Sequence, residues 1–119
     1  MQKVNLALKF SQFSELWSPK IVGELNGQLV KLVKVKGEFV WHHHQAEDEL
    51  FLVVRGRLDM HLRDGVVPIH EGEFYIVPRG VEHKPVAEEE THIMLFEPAS
   101  TLNTGNIRNE RTRDELERM

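Results

Sequence analysis

Short apolar runs recur along most of this chain at intervals of roughly ten residues, and this rhythm restricts the fold more than any other feature. Each run is rich in β-branched or large apolar residues, and Gly, Pro, Asp or Asn separates it from the next. Such spacing is typical of an all-β sandwich or barrel. We therefore predict strands over Ile21 to Leu25, Leu29 to Val35, Phe39 to His44, Leu50 to Val54, Leu58 to Leu62, Val66 to Ile69, Phe74 to Val77 and Ile93 to Phe96.

Two dipeptides between these runs predict tight β-hairpins. Asn26-Gly27 and Asp64-Gly65 suit the positive φ values that a type I′ turn requires. Each dipeptide lies between two predicted strands, so each is expected to join neighbours in a sheet.

The two ends of the chain depart from this rhythm. Val4 to Leu8 alternates like a strand, and Ser11 to Trp17 predicts a short amphipathic helical turn that Ser18-Pro19 ends. Ala99 to Met119 is a polar tail, expected to be flexible or short-helical, with a short helix over Asp114 to Met119. The chain has 119 residues and no repeat or linker, so we expect one domain over residues 1–119.

Composition and charge exclude several classes of function. With no cysteine, the chain has no disulfide and no thiolate nucleophile, and any metal must be held by nitrogen and oxygen. The net charge is −4 and no basic stripe carries interleaved aromatics, so no nucleic-acid partner is expected. The lysines at 31, 34 and 36 are interpreted as the solvent face of a strand. Because no apolar run has the length of a membrane span and no signal peptide is evident, we expect a cytoplasmic protein without membrane contact.

Imidazoles and carboxylates crowd into the stretch from His42 to Glu49. On a strand, His42 and His44 project from the same face, about 7 Å apart, and His43 projects from the other. Two neutral imidazoles on one face are suited to binding one metal ion. The alternative without a metal is that both histidines belong to an exposed polar strand edge.

The carboxylate of this stretch has three candidates. Glu49 lies five positions after His44, an odd step that requires a loop or bulge over residues 45–48. Glu47 and Asp48 compete for the role, but Glu49 is in phase with Phe51 on the following strand, which favours Glu49. Phe51 is therefore the best candidate for a residue that lines a pocket at the site.

A second half-site follows further along the chain. The predicted strand Phe74 to Val77 runs into Pro78-Arg79-Gly80, a turn that reverses the chain, and His83 follows three residues later. We expect His83 to be the fourth ligand. If the substrate carries a carboxylate, Arg55, Arg57 and Arg79 are the available anion contacts. Only Arg79, which lies in the same turn, is tied to the site by sequence, and it is a possible pocket residue.

These residues resemble two sequence motifs of the cupin family. The first, G-x5-H-x-H-x3,4-E-x6-G, is matched by Gly37, His42, His44, Glu49 and Gly56, and the second, G-x5-P-x-G-x2-H-x3-N, by Gly72, Pro78, Gly80 and His83. Two positions depart from the pattern: only four residues separate Gly37 from His42, and Ala87 stands where the pattern has Asn. The resemblance implies a double-stranded β-helix, or jelly-roll cupin barrel, with a metal-bearing core at about residues 37–87. The chain also looks like the small single-domain microbial cupins, a group with no common activity.

The ligand set and the resemblance together imply a metal-dependent function. Three imidazoles and one carboxylate suit a divalent Fe, Mn, Ni, Zn or Cu ion and leave positions open for a ligand. We expect a metal-dependent enzyme, dioxygenase- or isomerase-like, that acts on a small oxygen-rich metabolite. The alternative is a non-catalytic small-molecule or sugar-binding module in which the metal orients the ligand. No catalytic acid or base is identified by spacing.

We also predict a homodimer. Val4 to Leu8 and Ile21 to Leu25 are extra strands beyond the metal-bearing core, and an unpaired apolar strand edge is usually paired with another chain.

Overall fold

In a computed structural model, which describes residues 2–119, the chain consists of eight strands and one short helix. The predicted all-β fold is therefore confirmed. The helix is α1 (Leu6–Phe10), and the strands are β1 (Lys20–Leu25), β2 (Gln28–Glu38), β3 (Glu49–Arg55), β4 (Arg57–Leu62), β5 (Gly65–His70), β6 (Phe74–Val77), β7 (His83–Pro98) and β8 (Glu117–Arg118).

The 16-residue strand β7 organises the barrel. It pairs with β2 along most of its length, with β4 through its first residues and with β3 through its last. β5 then extends from β4, and β6 from β3. Because one long strand serves both halves, the sheet bends around it and encloses a core, as in the jelly-roll barrel that was expected. The predicted strand Ile93 to Phe96 is only the second half of β7.

The interior of the barrel is filled by residues that alternate along these strands. On β7, buried and partly exposed positions alternate from Thr91 to Pro98, and the inward side chains pack against those of β2, β3 and β4. Fully burying an aliphatic or aromatic side chain contributes about 1.5–3 kcal/mol. The largest core cluster contains Val33, Val35, Phe51, Val53, Leu58, Met60, Ile69, Val77, Ala87, Ile93 and Leu95.

The β1–β2 turn has the geometry that its sequence predicts. Asn26 and Gly27 both have positive φ, 49° and 77°, and Leu25 pairs with Gln28 across the turn. The second hairpin joins β4 to β5, but Leu62 pairs with Gly65, so its turn residues are Arg63 and Asp64. Both hairpins are confirmed, whereas the positive φ expected at Asp64-Gly65 was wrong, since neither residue has one.

The N-terminal prediction was wrong in its details. Val4 to Leu8 is not a strand, since α1 begins at Leu6 and the Asn5 side chain caps it by accepting a hydrogen bond of 3.0 Å from the Leu8 backbone N–H. Ser11 to Trp17 is not helical; within it, Leu16 forms a single bridge to Lys34. Five alternating residues are too few to separate a strand period from a helical one.

The C-terminal segment forms a strand instead of the predicted helix over Asp114 to Met119. β8 pairs in parallel with β1, and the Met119 backbone N–H donates to Ile21 O at 2.9 Å. This pairing covers part of the outer edge of β1, which was one reason for expecting a homodimer. The C-terminal segment is a strand because its backbone pairs with β1, and the local sequence does not reveal that pairing.

Two further points correct the sequence interpretation. Phe39 to His44 is not a continuous strand; His42 makes only an isolated bridge to His83. Lys31 is buried inside the barrel at 1% exposure, whereas Lys34 is half-buried and Lys36 is exposed. Among residues 2–119, no helix has the length and apolar character needed to cross a membrane.

Candidate metal centre

His42, His44, Glu49 and His83 come together inside the barrel. Their potential ligand atoms all lie within 4.8 Å of one another, and all four residues are buried. They come from three separate segments: the loop before β3, the first residue of β3 and the first residue of β7. The structure thus brings together the four residues that the sequence selected as candidate ligands.

Backbone pairing holds the ligand loop although that loop is not a strand. The His42 N–H donates to His83 O at 3.0 Å, and the His83 N–H donates to His42 O at 2.9 Å. His44 O accepts from the Gly80 N–H at 2.8 Å, which ties the loop to the turn before His83. His43 is not part of the metal-ligand group, in keeping with its place between two inward residues.

The histidine rings at 42 and 83 are oriented by backbone carbonyls. Nδ1 of His42 lies 2.9 Å from Val40 O, and Nδ1 of His83 lies 2.9 Å from Val81 O. A carbonyl oxygen can only accept, so each Nδ1 carries the hydrogen and each Nε2 keeps its lone pair. Such outer hydrogen bonds commonly fix the tautomer of metal-binding histidines.

Several buried atoms of this group have no hydrogen-bond partner among residues 2–119. They are Nε2 of His44, Nε2 of His83 and Oε1 of Glu49. Glu49 Oε1 lies 3.1 Å from Nε2 of His44 and 3.5 Å from Nε2 of His83. Unpaired buried polar atoms are costly, and a cation between these lone pairs would satisfy all three. The residues therefore fit a divalent metal ion.

Burial and neighbouring groups keep His42 and Glu49 in the protonation states that metal binding needs. Burial and the nearby His83 lower the pKa of His42 to about 4, so this ring is neutral at pH 7. Burial acts to raise the pKa of Glu49, but the close approach of Glu97, His44 and His83 outweighs it and holds that pKa well below the ordinary value. Neutral imidazoles and an anionic carboxylate are the forms that coordinate metals.

A cavity adjoins the ligand group inside the barrel. Its volume is about 50 Å³, room for one or two water-sized groups, and most of its wall is apolar. Phe51 lines it, at the place the sequence indicated. The apolar wall consists of Trp17, Pro19, Val33, Val35, Phe39, Phe51, Pro85, Ile93 and Leu95, and the polar lining residues are His42, Glu49, Glu97 and Asn103.

Arg79, the other possible pocket residue, does not line this cavity. Its side chain is 64% exposed and lies 3.4 Å from Asp48, whose Oδ1 also accepts from the Arg79 backbone N–H at 2.8 Å. Asp48 is thereby held at the surface, and Glu47 accepts from Ser100 Oγ at 2.7 Å. Neither of these competing carboxylates joins the ligand group.

Sequence reasoning missed Lys31 and Glu97, which form a buried ion pair at 2.7 Å. Burial and the charge of Glu49 raise the pKa of Glu97 well above the ordinary value. The signal was present in the strand period: Lys31 is in phase with Val33 and Val35, as Glu97 is with Leu95. The sequence interpretation placed Lys31 on the solvent face because of its charge, although its position in the strand alternation indicated an inward side chain.

The C-terminal tail packs against the ligand loop beside the cavity. Asn106 Oδ1 accepts from the His43 N–H at 2.8 Å, and the Asn106 N–H donates to His43 O at 3.1 Å. Asn103, a cavity-lining residue, donates through Nδ2 to Arg111 O at 2.8 Å. The Arg111 guanidinium in turn lies 5.3 Å from the Trp17 ring centroid. The tail is thus part of the wall of the site.

An eight-stranded barrel with a buried three-histidine, one-carboxylate group beside an internal cavity makes this protein a small β-barrel with a candidate metal centre. The family model for the cupin domain, Cupin_2, matches residues 29–97. The chain belongs to the cupin family, as its two motifs indicated.

Three similar proteins place the chain among small bacterial cupins. A cupin-2 domain protein from Shewanella frigidimarina is 49% identical, with a TM-score of 0.79 over 80% of this chain and 93% of that one. NMB1881 from Neisseria meningitidis is 31% identical, with a TM-score of 0.75 over 82% of this chain and 100% of that one. The uncharacterised protein YdbB from Bacillus subtilis is 33% identical over 64 residues, which are 53% of this chain and 57% of YdbB. The chain therefore spans little more than half of that curated relative.

Proposed function

We propose that the protein binds one divalent transition metal ion, Fe, Mn, Ni, Zn or Cu, through His42, His44, Glu49 and His83. We further propose that it is a metal-dependent enzyme, dioxygenase- or isomerase-like, that acts on a small molecule. The observation that carries this proposal is the set of buried, unpaired ligand atoms beside a cavity. A purely structural site needs no adjacent space for a ligand.

The four candidate ligands would hold the ion, and the apolar residues of the cavity would enclose the small molecule. An ion held by this group supplies Lewis acidity to an oxygen-containing molecule that enters its open positions. His42 and His83 are oriented for the ion by Val40 O and Val81 O, so little rearrangement is needed on binding. The apolar wall excludes water, which strengthens electrostatic interactions inside the cavity.

The cavity refines the expected substrate. An oxygen-rich metabolite such as a sugar needs many hydrogen-bond partners, but only four polar residues line this space, and two of them belong to the ligand group. A small, largely apolar molecule with one or two oxygens fits this lining better. Since the cavity volume is about 50 Å³, only a few atoms of such a molecule enter it.

A non-catalytic binding module is the second candidate. Its support is the scarcity of acid–base groups: apart from the ligands, Glu97 is the one ionisable side chain that lines the cavity among residues 2–119, and Lys31 already binds it. In that case the ion only orients the small molecule. Turnover of a bound molecule by the metal-loaded protein separates the two candidates.

The first experiment is elemental analysis of protein purified without added metal. We expect about one ion per chain in the wild type, and sharply reduced metal content in His44→Ala and His83→Ala. His43→Ala is the matched control, since it removes an imidazole from the same loop outside the ligand group. Loss of metal in the control with retention in His44→Ala would refute the ligand assignment. A substrate screen with the retained ion then tests for catalysis.

Glu49→Gln is the finer test of the same centre. It keeps the size of the side chain and replaces an anionic ligand with a neutral amide. We expect weaker binding or a changed metal preference with the fold retained. Unchanged affinity and preference would show that Glu49 is not a ligand.

A further inference from the structure

A fully buried ion pair lies beside the candidate metal centre. Nζ of Lys31 is 2.7 Å from Oε1 of Glu97, and each side chain is only 2% exposed. Removing two charges from water is costly, and apolar residues of similar volume often stabilise a core equally well or better. Stability alone is therefore a weak reason for this pair.

The strand register places the pair next to Glu49. Lys31 of β2 is the partner of Leu95 on β7, and Glu97 lies two residues further along the same inward face. Leu50 of β3 is the partner of Phe96, so Glu49 comes beside Glu97 across the β3–β7 ladder. All three charged side chains therefore point into one end of the barrel.

The contacts run in a row toward the candidate ligand atoms. Lys31 binds Oε1 of Glu97, and Oε2 of Glu97 is buried without a hydrogen-bond partner among residues 2–119, on the residue that the strand register places beside Glu49. Oε1 of Glu49 then faces the Nε2 atoms of His44 and His83. Lys31 fixes the carboxyl of Glu97, and that carboxyl restricts the orientation of Glu49.

We propose that Glu97, held in place by Lys31, is a positioning residue that orients the Glu49 carboxylate toward the metal ion. This inference rests on the proposed metal binding by His42, His44, Glu49 and His83. Carboxylates that bind metals are usually held by hydrogen bonds from outer residues, which are as much a part of the site as the ligands.

Two substitutions separate positioning from packing. Glu97→Gln keeps both contacts, since its amide oxygen accepts from Lys31 and its amide nitrogen donates to Glu49. The double change Lys31→Met with Glu97→Leu removes both contacts and leaves no unpaired buried charge, so we expect it to fold with a melting temperature near that of the wild type.

Cobalt(II) is the probe, because its visible spectrum reports the geometry of its ligands. Affinity is measured by competition with a chelator. We expect the double variant to bind cobalt about 10- to 100-fold more weakly than the wild type, with a changed spectrum. Glu97→Gln should retain near wild-type affinity and spectrum. Ile69→Val, a core change away from the cavity, is the control that lowers stability without affecting either reading.

The outcomes separate this inference from the proposed function. A wild-type protein that binds no cobalt overturns both. A wild-type protein that binds cobalt, together with a double variant of equal affinity and unchanged spectrum, overturns only the role of Glu97. If the double variant does not fold, Glu97→Asp decides, since it retracts the carboxyl from Glu49 but keeps its charge. Undiminished cobalt affinity in Glu97→Asp would then refute the inference.

Discussion

Gly105 lies where the tail meets the ligand loop, and replacing it with alanine tests whether the tail shapes the metal centre. Its φ is +56°, and an added Cβ would lie 3.0 Å from the carbonyl carbon of His43 and 3.1 Å from Cδ2 of His42. Contact with the carbonyl oxygen of His43 would be closer still. Carbon atoms in ordinary contact are about 3.5–4.0 Å apart, so either the tail or the loop must move.

The expected cost has two parts. A left-handed backbone costs a residue with a Cβ about 1–2 kcal/mol, and forcing a methyl group into a packed site typically adds about 1–3 kcal/mol. Gly27→Ala is the matched control, because Gly27 has φ +77° and nothing within 4 Å of its added Cβ. Gly105→Ala should therefore destabilise the protein by about 1–3 kcal/mol more than Gly27→Ala.

Urea unfolding of both variants measures this difference, and metal competition measures the effect on the site. Because the displaced atoms belong to the His42 and His43 loop, we expect metal affinity to fall in Gly105→Ala by about tenfold and to stay unchanged in Gly27→Ala. Equal destabilisation of the two variants, with equal metal affinity, would show that the tail contact contributes nothing to the site.

Other predictions concern the metal, pH and assembly. A chelator should lower the melting temperature, since free ion at 100 times its Kd stabilises the folded state by about 2.7 kcal/mol; an unchanged temperature after verified removal would count against a shared centre. Metal-free protein should lose about 3 kcal/mol of stability as pH falls from 6.5 to about 4, because His42 binds its proton at a higher pH in the unfolded state than in the folded state. Urea unfolding across this range tests it, and a rise in stability would contradict it. We expect a homodimer by light scattering at micromolar concentration, because Phe74 and Ile76 expose 60% and 47% of their surface; a monomer mass would refute this.

The sequence alone determined the fold class and the candidate ligands. Apolar runs with turn residues between them predicted most strands of the barrel, because burial on one face imposes an alternation that is visible in the chain. His42, His44, Glu49 and His83 were selected by their spacing. The β1–β2 turn was predicted equally well, since Asn26 and Gly27 satisfy a local backbone requirement.

Only the tertiary structure decided features that depend on distant segments. The sequence does not reveal that β8 pairs with β1, because backbone hydrogen bonds carry no residue identity. The sequence also did not predict the surface ion pair between Arg79 and Asp48, because the spacing of these two residues does not show that their side chains meet. Lys31 and Glu97 lie 66 positions apart in sequence, and a buried charge is tolerable only where barrel closure brings its partner to it. That partnership is a property of the closed barrel, and it places the ion pair beside the candidate metal centre.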